Sequence, residues 1–257
     1  RKIAYFCIMI SKAKLKELAA YRMAKTCQEE RLFVVEGPKM CLEALEAGLP
    51  VRALCATAPW LQSHQPLLNG IEAYEVSDAE LERLSSQKSP NQVWMLLSRD
   101  FSPLCEPGEH ALTLVLDRLQ DPGNLGTIIR TADWFGLRRI VCSPDTVSCF
   151  NPKVVQATMG GIFRTTVEYR PLQPFLEQVR SEGRQVYGAL LDGESLYSMP
   201  LQPTDALLVI GNESRGISPD IQPLITHRIL IPNLGGTCES LNASIATAIL
   251  ISHFQRP

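Results

Sequence analysis

Several things that would mark a specialised chain are missing from these 257 residues. Charge of one sign is missing. With 25 basic against 27 acidic residues the formal net charge is −2, so no global positive field draws in a polyanion and any nucleic-acid contact must use local patches. Metal-ligand spacing is missing: the eight cysteines (Cys7, Cys27, Cys41, Cys55, Cys105, Cys142, Cys149, Cys238) form no Cys-x-x-Cys pair, and His64, His110, His227 and His253 are scattered. No metal site is expected. Most of the cysteines stand in apolar runs such as "IVCS" and "ALCA"; they read as buried, reduced thiols, which points to a cytoplasmic setting. Long hydrophobic runs are missing too. None approaches the roughly 20 residues that span a bilayer, so no membrane partner is expected. There are no internal repeats and no low-complexity tracts.

What remains is an ordinary globular composition, 45% hydrophobic and 20% charged, in a length that suits one large domain or two small ones. The opening "RKIAYFCIMI" mimics a secretion signal, but its apolar run covers only Ile3 to Ile10 and lacks a small-residue cleavage site. Met9 is a candidate initiator, with the residues before it contributed by upstream reading; a native start ahead of Met9, found by mass spectrometry, overturns that expectation.

Periodicity divides the chain. Ser11 to Glu30 reads as one helix, with Ser11 as N-cap and Leu15, Leu18, Arg22 and Met23 at helical spacing. "RLFVVEG" reads as a strand and "PKMCLEALEAG" as a helix, with Pro38 at its start and Gly48 past its end. "VRALCAT" and "IEAYEVS" read as strands, "SDAELERLSS" as a short helix opened by a Ser77/Glu80 capping box, and "NQVWMLLS" as a strand. Residues 1–98 therefore form a small α/β domain. "RDFSPLCEPGEH" breaks every period and is the expected linker, 99–110. Strands and helices alternate again over 111–257, including helices at "NPKVVQATMGG" and at Ser240–Phe254. There "TLVLD" and "ALLVI" are apolar throughout, the mark of a parallel sheet covered on both faces.

Ligands of open parallel sheets sit beyond the carboxyl ends of the strands, and three loops of the second domain follow strands. In "DPGNLGTIIRTAD", Pro122 and Gly123 make a turn, Asn124 stands as a helix N-cap, and Arg130 is spaced to pair with Asp133 on a solvated face. In "VIGNESRGIS", Gly211 lets the backbone approach a ligand, Asn212 and Glu213 stand at the strand mouth, and Gly216 permits a second bend. In "IPNLGGTCESLNASIATAIL", Pro232 stiffens the strand exit and Gly235–Gly236 frees a loop. Ser240 and Asn242 then fall in a first helical turn, where unsatisfied N–H groups point outward. Ala243, Ser244, Ala246, Thr247 and Ala248 offer a small-residue surface to a neighbouring backbone. A phosphate loop would need Gly-Lys and then Ser or Thr, and a dinucleotide site would need Gly-x-Gly-x-x-Gly; neither is present in these loops.

In this order and spacing the three clusters resemble the signature motifs of the SpoU (TrmH-like) class of SPOUT RNA 2′-O-ribose methyltransferases. The matching residues are Asn124-x-Gly126-x-x-x-Arg130-Thr131-Ala132, then Ile210-Gly211-Asn212-Glu213-x-x-Gly216, then Ile231-Pro232 followed by Ser240-Leu241-Asn242-x-Ser244. The match runs from about Leu112 to Phe254, and three motifs in register are specific where one is not. Through "RLFVVEGPKMCLEAL" the first half resembles the substrate-binding domain of the two-domain rRNA-modifying branch, which is similar to an RNA-binding ribosomal protein.

The resemblance implies an α/β chain whose C-terminal parallel-sheet SPOUT domain is threaded as a deep trefoil knot, an exception to the rule against knots. It implies S-adenosylmethionine (AdoMet) as cofactor, RNA as substrate (23S rRNA, at a guanosine), and a homodimer with the motif-three helix at its interface. Arg130 becomes the catalytic residue, acting on the 2′-hydroxyl with an RNA phosphate or anchoring that phosphate, while Asn124, Glu213, Ser240 and Asn242 order the site. Cofactor contacts fall to Gly211, Asn212, Ile231, Pro232, Leu241 and Ser244. A loop rich in glycine without lysine fits, since a cationic sulfonium gains nothing from an ammonium neighbour. Two features depart from common family forms: Ser214–Arg215 sets a cation inside motif two, and Cys238, read as a small packing residue, lies in the cofactor loop. Lys12, Lys14, Lys16, Arg22, Lys25 and Lys39 offer a local basic face for RNA. The alternatives are a tRNA methyltransferase of the same class and a non-catalytic RNA-binding protein that keeps the fold.

Overall fold

The computed structural model describes residues 8–105, 111–202 and 204–256; the start of the opening apolar run and residues 106–110 of the expected linker lie outside them. The chain forms two compact units. One runs to Ser102 and takes in Phe150–Gly160; the other comprises Pro103–Cys149 and the chain from Gly161 onward.

The first unit is built from β1 (Ile8–Met9), α1 (Lys12–Ala19), α2 (Ala24–Glu29), β2 (Leu32–Glu36), α3 (Pro38–Glu46), β3 (Val51–Ala56), α4 (Ala58–Ser63), β4 (Ala73–Glu75), α5 (Asp78–Leu84) and β5 (Val93–Ser98). Its five-stranded sheet has the order β1-β4-β3-β5-β2. β4 runs parallel to β1 and β3, whereas β5 runs antiparallel to β3 and β2. Both caps foreseen in the sequence form: Ser11 accepts from the Lys14 amide, and Ser77 and Glu80 make a complete capping box. The single helix expected over Ser11–Glu30 is instead broken by a 3-10 turn at Ala20–Arg22 and an extended Met23. Geometry explains the break. Each six-residue step turns a helix by about 120°, so one straight helix would point Leu15, Tyr21 and Cys27 to three different sides. Broken, the segment buries all three in one core with Trp94 and Leu96.

Residues Pro152–Thr158, read in the sequence as part of the second domain, form helix α7, which belongs to the first unit. Just ahead of it the Phe150 ring lies 4.9 Å from that of Phe33, and Gln87 donates to the Gln156 side chain at 3.0 Å.

The second unit contains β6 (Thr113–Leu116), α6 (Pro122–Trp134), β7 (Arg139–Cys142), β8 (Thr166–Tyr169), α8 (Leu172–Ser181), β9 (Val186–Ser195), β10 (Leu207–Ile210), β11 (His227–Leu230) and α9 (Ala243–Phe254). Its six strands lie in the order β11-β9-β10-β6-β7-β8, and every neighbouring pair is parallel. The apolar strands behave as their composition demands: Leu114–Leu116 and Leu207–Ile210 are buried throughout. On one face Phe175, Leu176 and Val179 of α8 pack on Val115, Val141, Val186, Leu207 and Val209. Each such side chain contributes roughly 1.5–3 kcal/mol by leaving water.

Five of the thiols, Cys27, Cys41, Cys55, Cys142 and Cys149, are buried and unoxidised. Burial pushes the Cys55 thiol up to about 12, which keeps it protonated and unreactive. Among the described residues no helix is long and apolar enough to cross a membrane, and no group of three or more side chains is arranged to hold a metal ion.

Candidate active site at the carboxyl ends of the parallel strands

Strands β6 and β10 lie side by side with Val115 opposite Val209, so the loops that follow them emerge together. Asp117, the first residue past β6, is buried. Its amide donates to the Ile210 carbonyl at 2.9 Å, and its Oδ2 accepts from the Ser218 amide at 2.6 Å and from the Ser218 hydroxyl. This carboxylate thus ties the start of one loop to the far end of the other. Within the second loop, Asn212 and Gly216 pair amide to carbonyl in both directions, at 3.0 and 2.9 Å. The Asn212 Oδ1 accepts from the Ser214 and Arg215 amides, and its Nδ2 donates to the Arg118 carbonyl at 2.8 Å. A Cβ on Gly211 would meet the Gly216 carbonyl carbon at 2.2 Å and the Ile217 nitrogen at 2.3 Å. Gly211 therefore lets the chain approach itself where the second loop closes.

Helix α6 is capped by Asp121, whose Oδ1 accepts from the Asn124 amide at 2.7 Å. Asn124 is thus not the cap read from the sequence. It is the third residue inside the helix, 8% exposed, and its side chain is free to reach sideways. Its Nδ2 donates to Glu213 Oε1 at 2.8 Å, and its Oδ1 accepts from Asn242 Nδ2 at 2.9 Å. Asn242 caps α9: its Oδ1 accepts from the Ser244 amide at 2.9 Å, the Ser244 hydroxyl at 2.6 Å and the Ile245 amide at 3.3 Å. The last helix consequently begins at Ala243, and Ser240 lies in the loop ahead of it rather than in its first turn. The chemistry fixes every amide orientation. A cap oxygen must accept, so Asn242 offers its NH₂ to Asn124, and Asn124 must then turn its own NH₂ to a carboxylate that can only accept. One hydrogen-bonded chain joins the three loops.

The loop from Ile231 to Leu241 makes no backbone–backbone hydrogen bond among the described residues. It is shaped by Asn233 instead. The Oδ1 of Asn233 accepts from the Gly235 and Gly236 amides at 3.0 and 2.7 Å, and its Nδ2 donates to the Gly236 and Cys238 carbonyls. Gly235 has φ of +106°, a conformation costly for any side chain. Leu234 is 92% exposed and Leu241 is also uncovered. Uncovered leucines beside peptide N–H and C=O groups that make no backbone–backbone bond among the described residues suit a flat aromatic nucleoside, whose faces want apolar cover and whose edge wants peptide partners. Cys238 is exposed, so it does not act as the packing residue its size suggested.

Asn124 bonds directly to both Glu213 and Asn242, with Asn212 and Ser244 held by the same loops. Ser240 makes no hydrogen bond among the described residues, and Arg130 stands on the exposed face of α6 without a partner there. The pairing of Arg130 with Asp133 does not form, because Arg138 and Arg164 take the Asp133 carboxylate. Sequence reasoning passed over Asp117, Asp121, Ser218 and Asn233. The available signals were an acid directly after an apolar strand and an asparagine two residues ahead of a Gly-Gly pair.

Residues 111–252 match the SpoU rRNA Methylase family, and residues 12–94 match the MRM3-like substrate binding domain. The Bacillus subtilis protein named 23S rRNA (guanosine(2553)-2′-O)-methyltransferase RlmP is 30% identical over 248 residues, covering 94% of this chain and 96% of its own length. A solved structure of a TrmH-family protein from Porphyromonas gingivalis superposes with a TM-score of 0.82 at 40% identity, covering 96% of this chain and 98% of that one. An AdoMet-bound rRNA methyltransferase from Sinorhizobium meliloti superposes with a TM-score of 0.85 at 28% identity, covering 96% of each chain.

Proposed function

The chain belongs to the SpoU rRNA methylase family, and from that premise we propose how its own residues carry out methyl transfer. It is an AdoMet-dependent RNA 2′-O-ribose methyltransferase acting on rRNA. The observation that carries this reading is the Asn242–Asn124–Glu213 chain, which draws three loops far apart in sequence to the mouth of one parallel sheet.

When bound, AdoMet supplies an electrophilic methyl carbon on a sulfonium. The residues that hold it are Gly211, Asn212, Ile231, Pro232, Leu241 and Ser244, with exposed Leu234 as added apolar cover; a 231–241 loop with no backbone–backbone hydrogen bond among the described residues supports this assignment. Because the methyl is already activated, the protein has to align the ribose oxygen and help it lose a proton. Arg130 is the residue for that task. A guanidinium has no lone pair to take a proton, so its part is to grip an RNA phosphate with two N–H groups and set the 2′-hydroxyl in line, with an oxygen of that phosphate placed to accept the hydroxyl proton. Its exposed position and the lack of an acidic partner among the described residues support this. Asn124, Glu213, Ser240 and Asn242 order the loops around the reacting atoms.

The substrate we propose is a guanosine of 23S rRNA, supported by the name of the Bacillus subtilis relative. Lys12, Lys16 and Lys39 are exposed and unpaired among the described residues, which suits them to RNA phosphates; Lys14 and Lys25 are engaged by Glu17 and Glu29. A homodimer built on α9 is supported by Trp134, 84% exposed, by Ile245, 52% exposed, and by a cavity of about 330 Å³ lined by Phe135, Tyr197, Ile249 and His253. A trefoil knot is supported by the path of the chain, which leaves the sheet edge at β11 and returns to pack α9 on α6. The buried free thiols support a cytoplasmic setting.

The test is Arg130→Ala. Calorimetry should find AdoMet binding retained while transfer of labelled methyl to rRNA is abolished; near-normal turnover removes Arg130 from the mechanism.

A further inference from the structure

Arg130 and Asp133 sit three residues apart on α6, the spacing at which an arginine and a carboxylate meet on a helix surface. An arginine so placed would be partly neutralised by its own helix. The structure avoids this in a specific way. Asp133 Oδ1 accepts from Arg138 Nη1 and from Arg164 Nε at 3.1 Å, while Oδ2 accepts from Arg164 Nε at 3.0 Å and Nη2 at 2.8 Å. A carboxylate offers about four acceptor positions, and three N–H groups, the Arg164 Nε–H shared between both oxygens, engage each of its oxygens twice. The Asp133 side chain is 17% exposed and those of Arg138 and Arg164 are 20% and 25% exposed, so the cluster is sheltered from solvent competition. Arg164 comes from the 3-10 segment Gly161–Phe163 and the residue after it, which lies against α6 at Arg130 itself: a Cβ on Gly161 would stand 3.4 Å from the Arg130 Cα. The one acid that could pair with Arg130 from its own helix face is thus held one turn away, by two cations.

We infer that Arg138 and Arg164 are positioning residues for methyl transfer, which saturate Asp133 so that the Arg130 guanidinium stays available to an RNA phosphate. The inference rests on the reading of Arg130 as the phosphate anchor. An unsaturated Asp133 would harm that role twice, by pairing with Arg130 and by repelling the incoming phosphate.

The experiment compares the full-length chain with Arg138→Gln/Arg164→Gln, and with the same pair carrying Asp133→Asn, in methyl transfer to an rRNA fragment. The double variant should raise the KM for RNA about fivefold, the worth of one solvent-accessible ion pair, with kcat and calorimetric AdoMet affinity within about twofold of wild type. Adding Asp133→Asn should return KM to within about twofold, because the competing charge is gone although no brace has been restored. A triple variant as impaired as the double overturns the inference and makes the cluster a structural brace; so does a double variant with unchanged KM. Should the double variant fail to fold, Arg164→Gln alone frees Oδ2 and should raise KM about twofold, again reversed by Asp133→Asn; no reversal overturns the inference in that background. Arg130→Ala run alongside separates the two levels. Full turnover there sinks the anchor reading itself, whereas lost turnover with an unimpaired double variant sinks only the role of Arg138 and Arg164.

Discussion

The two units use the same alternation of strand and helix but employ their polar side chains differently. In the first, the hydrogen bonds that shape helices are local: Ser11 to Lys14 and Ser77 to Glu80, each three residues apart. Its one long-range buried acid, Glu36, simply anchors the Ser85–Ser86 turn. In the second, the decisive bonds join residues 89 to 118 positions apart: Asn124 to Glu213, Asn212 to Arg118, Asp117 to Ser218 and Asn242 to Asn124. Local polar contacts decide where a helix starts. Long-range ones decide which loops share a site, and in the second unit they gather three loops at the mouth of the parallel strands.

That contrast can be broken hardest at Gly211. Gly211→Val places side-chain atoms inside the Gly216–Ile217 backbone, which must cost at least about 3 kcal/mol and open the second loop. Thermal unfolding should show a large loss of stability, and methyl transfer should vanish with it. Next comes Asn124→Ala, which leaves Glu213 and the Asn242 amide without partners at about 1–3 kcal/mol. Methyl transfer should fall roughly ten- to a hundredfold while α6 keeps its Asp121 cap and the chain stays folded by circular dichroism. A smaller effect is expected of Asp117→Asn, which weakens two charge-assisted bonds to Ser218 and should lower stability by about 1–2 kcal/mol, read from the denaturant midpoint.

The smallest effect falls in the first unit. Ser77→Ala removes one arm of a capping box at about 1 kcal/mol and should leave methyl transfer per folded molecule unchanged. It should also reduce the acid sensitivity of the fold. Hydrogen bonds from the Ser77 amide and hydroxyl hold the Glu80 carboxyl below its ordinary range. A depressed carboxylate lends stability above its unfolded pKa and loses it as the pH falls through the folded one, so the wild type should lose this contribution on acidification, and the variant, which keeps the amide bond but not the hydroxyl bond, should lose less of it. A loss of methyl transfer at neutral pH comparable to that of Asn124→Ala would erase the distinction between the units.

How far the sequence could be read follows the same line. Ser11, Ser77 and Glu80 were legible because their partners are three residues away, and the parallel sheet was legible because its strands are apolar on both faces. Asn124 was misplaced as a cap because Asp121, three residues earlier, competes for the same role, and only the fold shows that Asn124 has distant partners. The Arg130–Asp133 pair was a sound inference from helical spacing, overruled by Arg164, 31 residues beyond Asp133. The break at Met23 was invisible because helix propensity runs through it; burial of Tyr21 and Cys27 on one face decides it.

The central claim is that the joined loops serve transfer of a methyl group to a ribose oxygen. It is tested most directly by incubating the purified chain with methyl-labelled AdoMet and rRNA from cells lacking the gene, then digesting the RNA in alkali. A 2′-O-methyl blocks cleavage at its own nucleotide, so the account predicts label in a single alkali-resistant dinucleotide, absent with Arg130→Ala. Label recovered in ordinary mononucleotides, meaning a methylated base, or no label despite bound AdoMet, would contradict it.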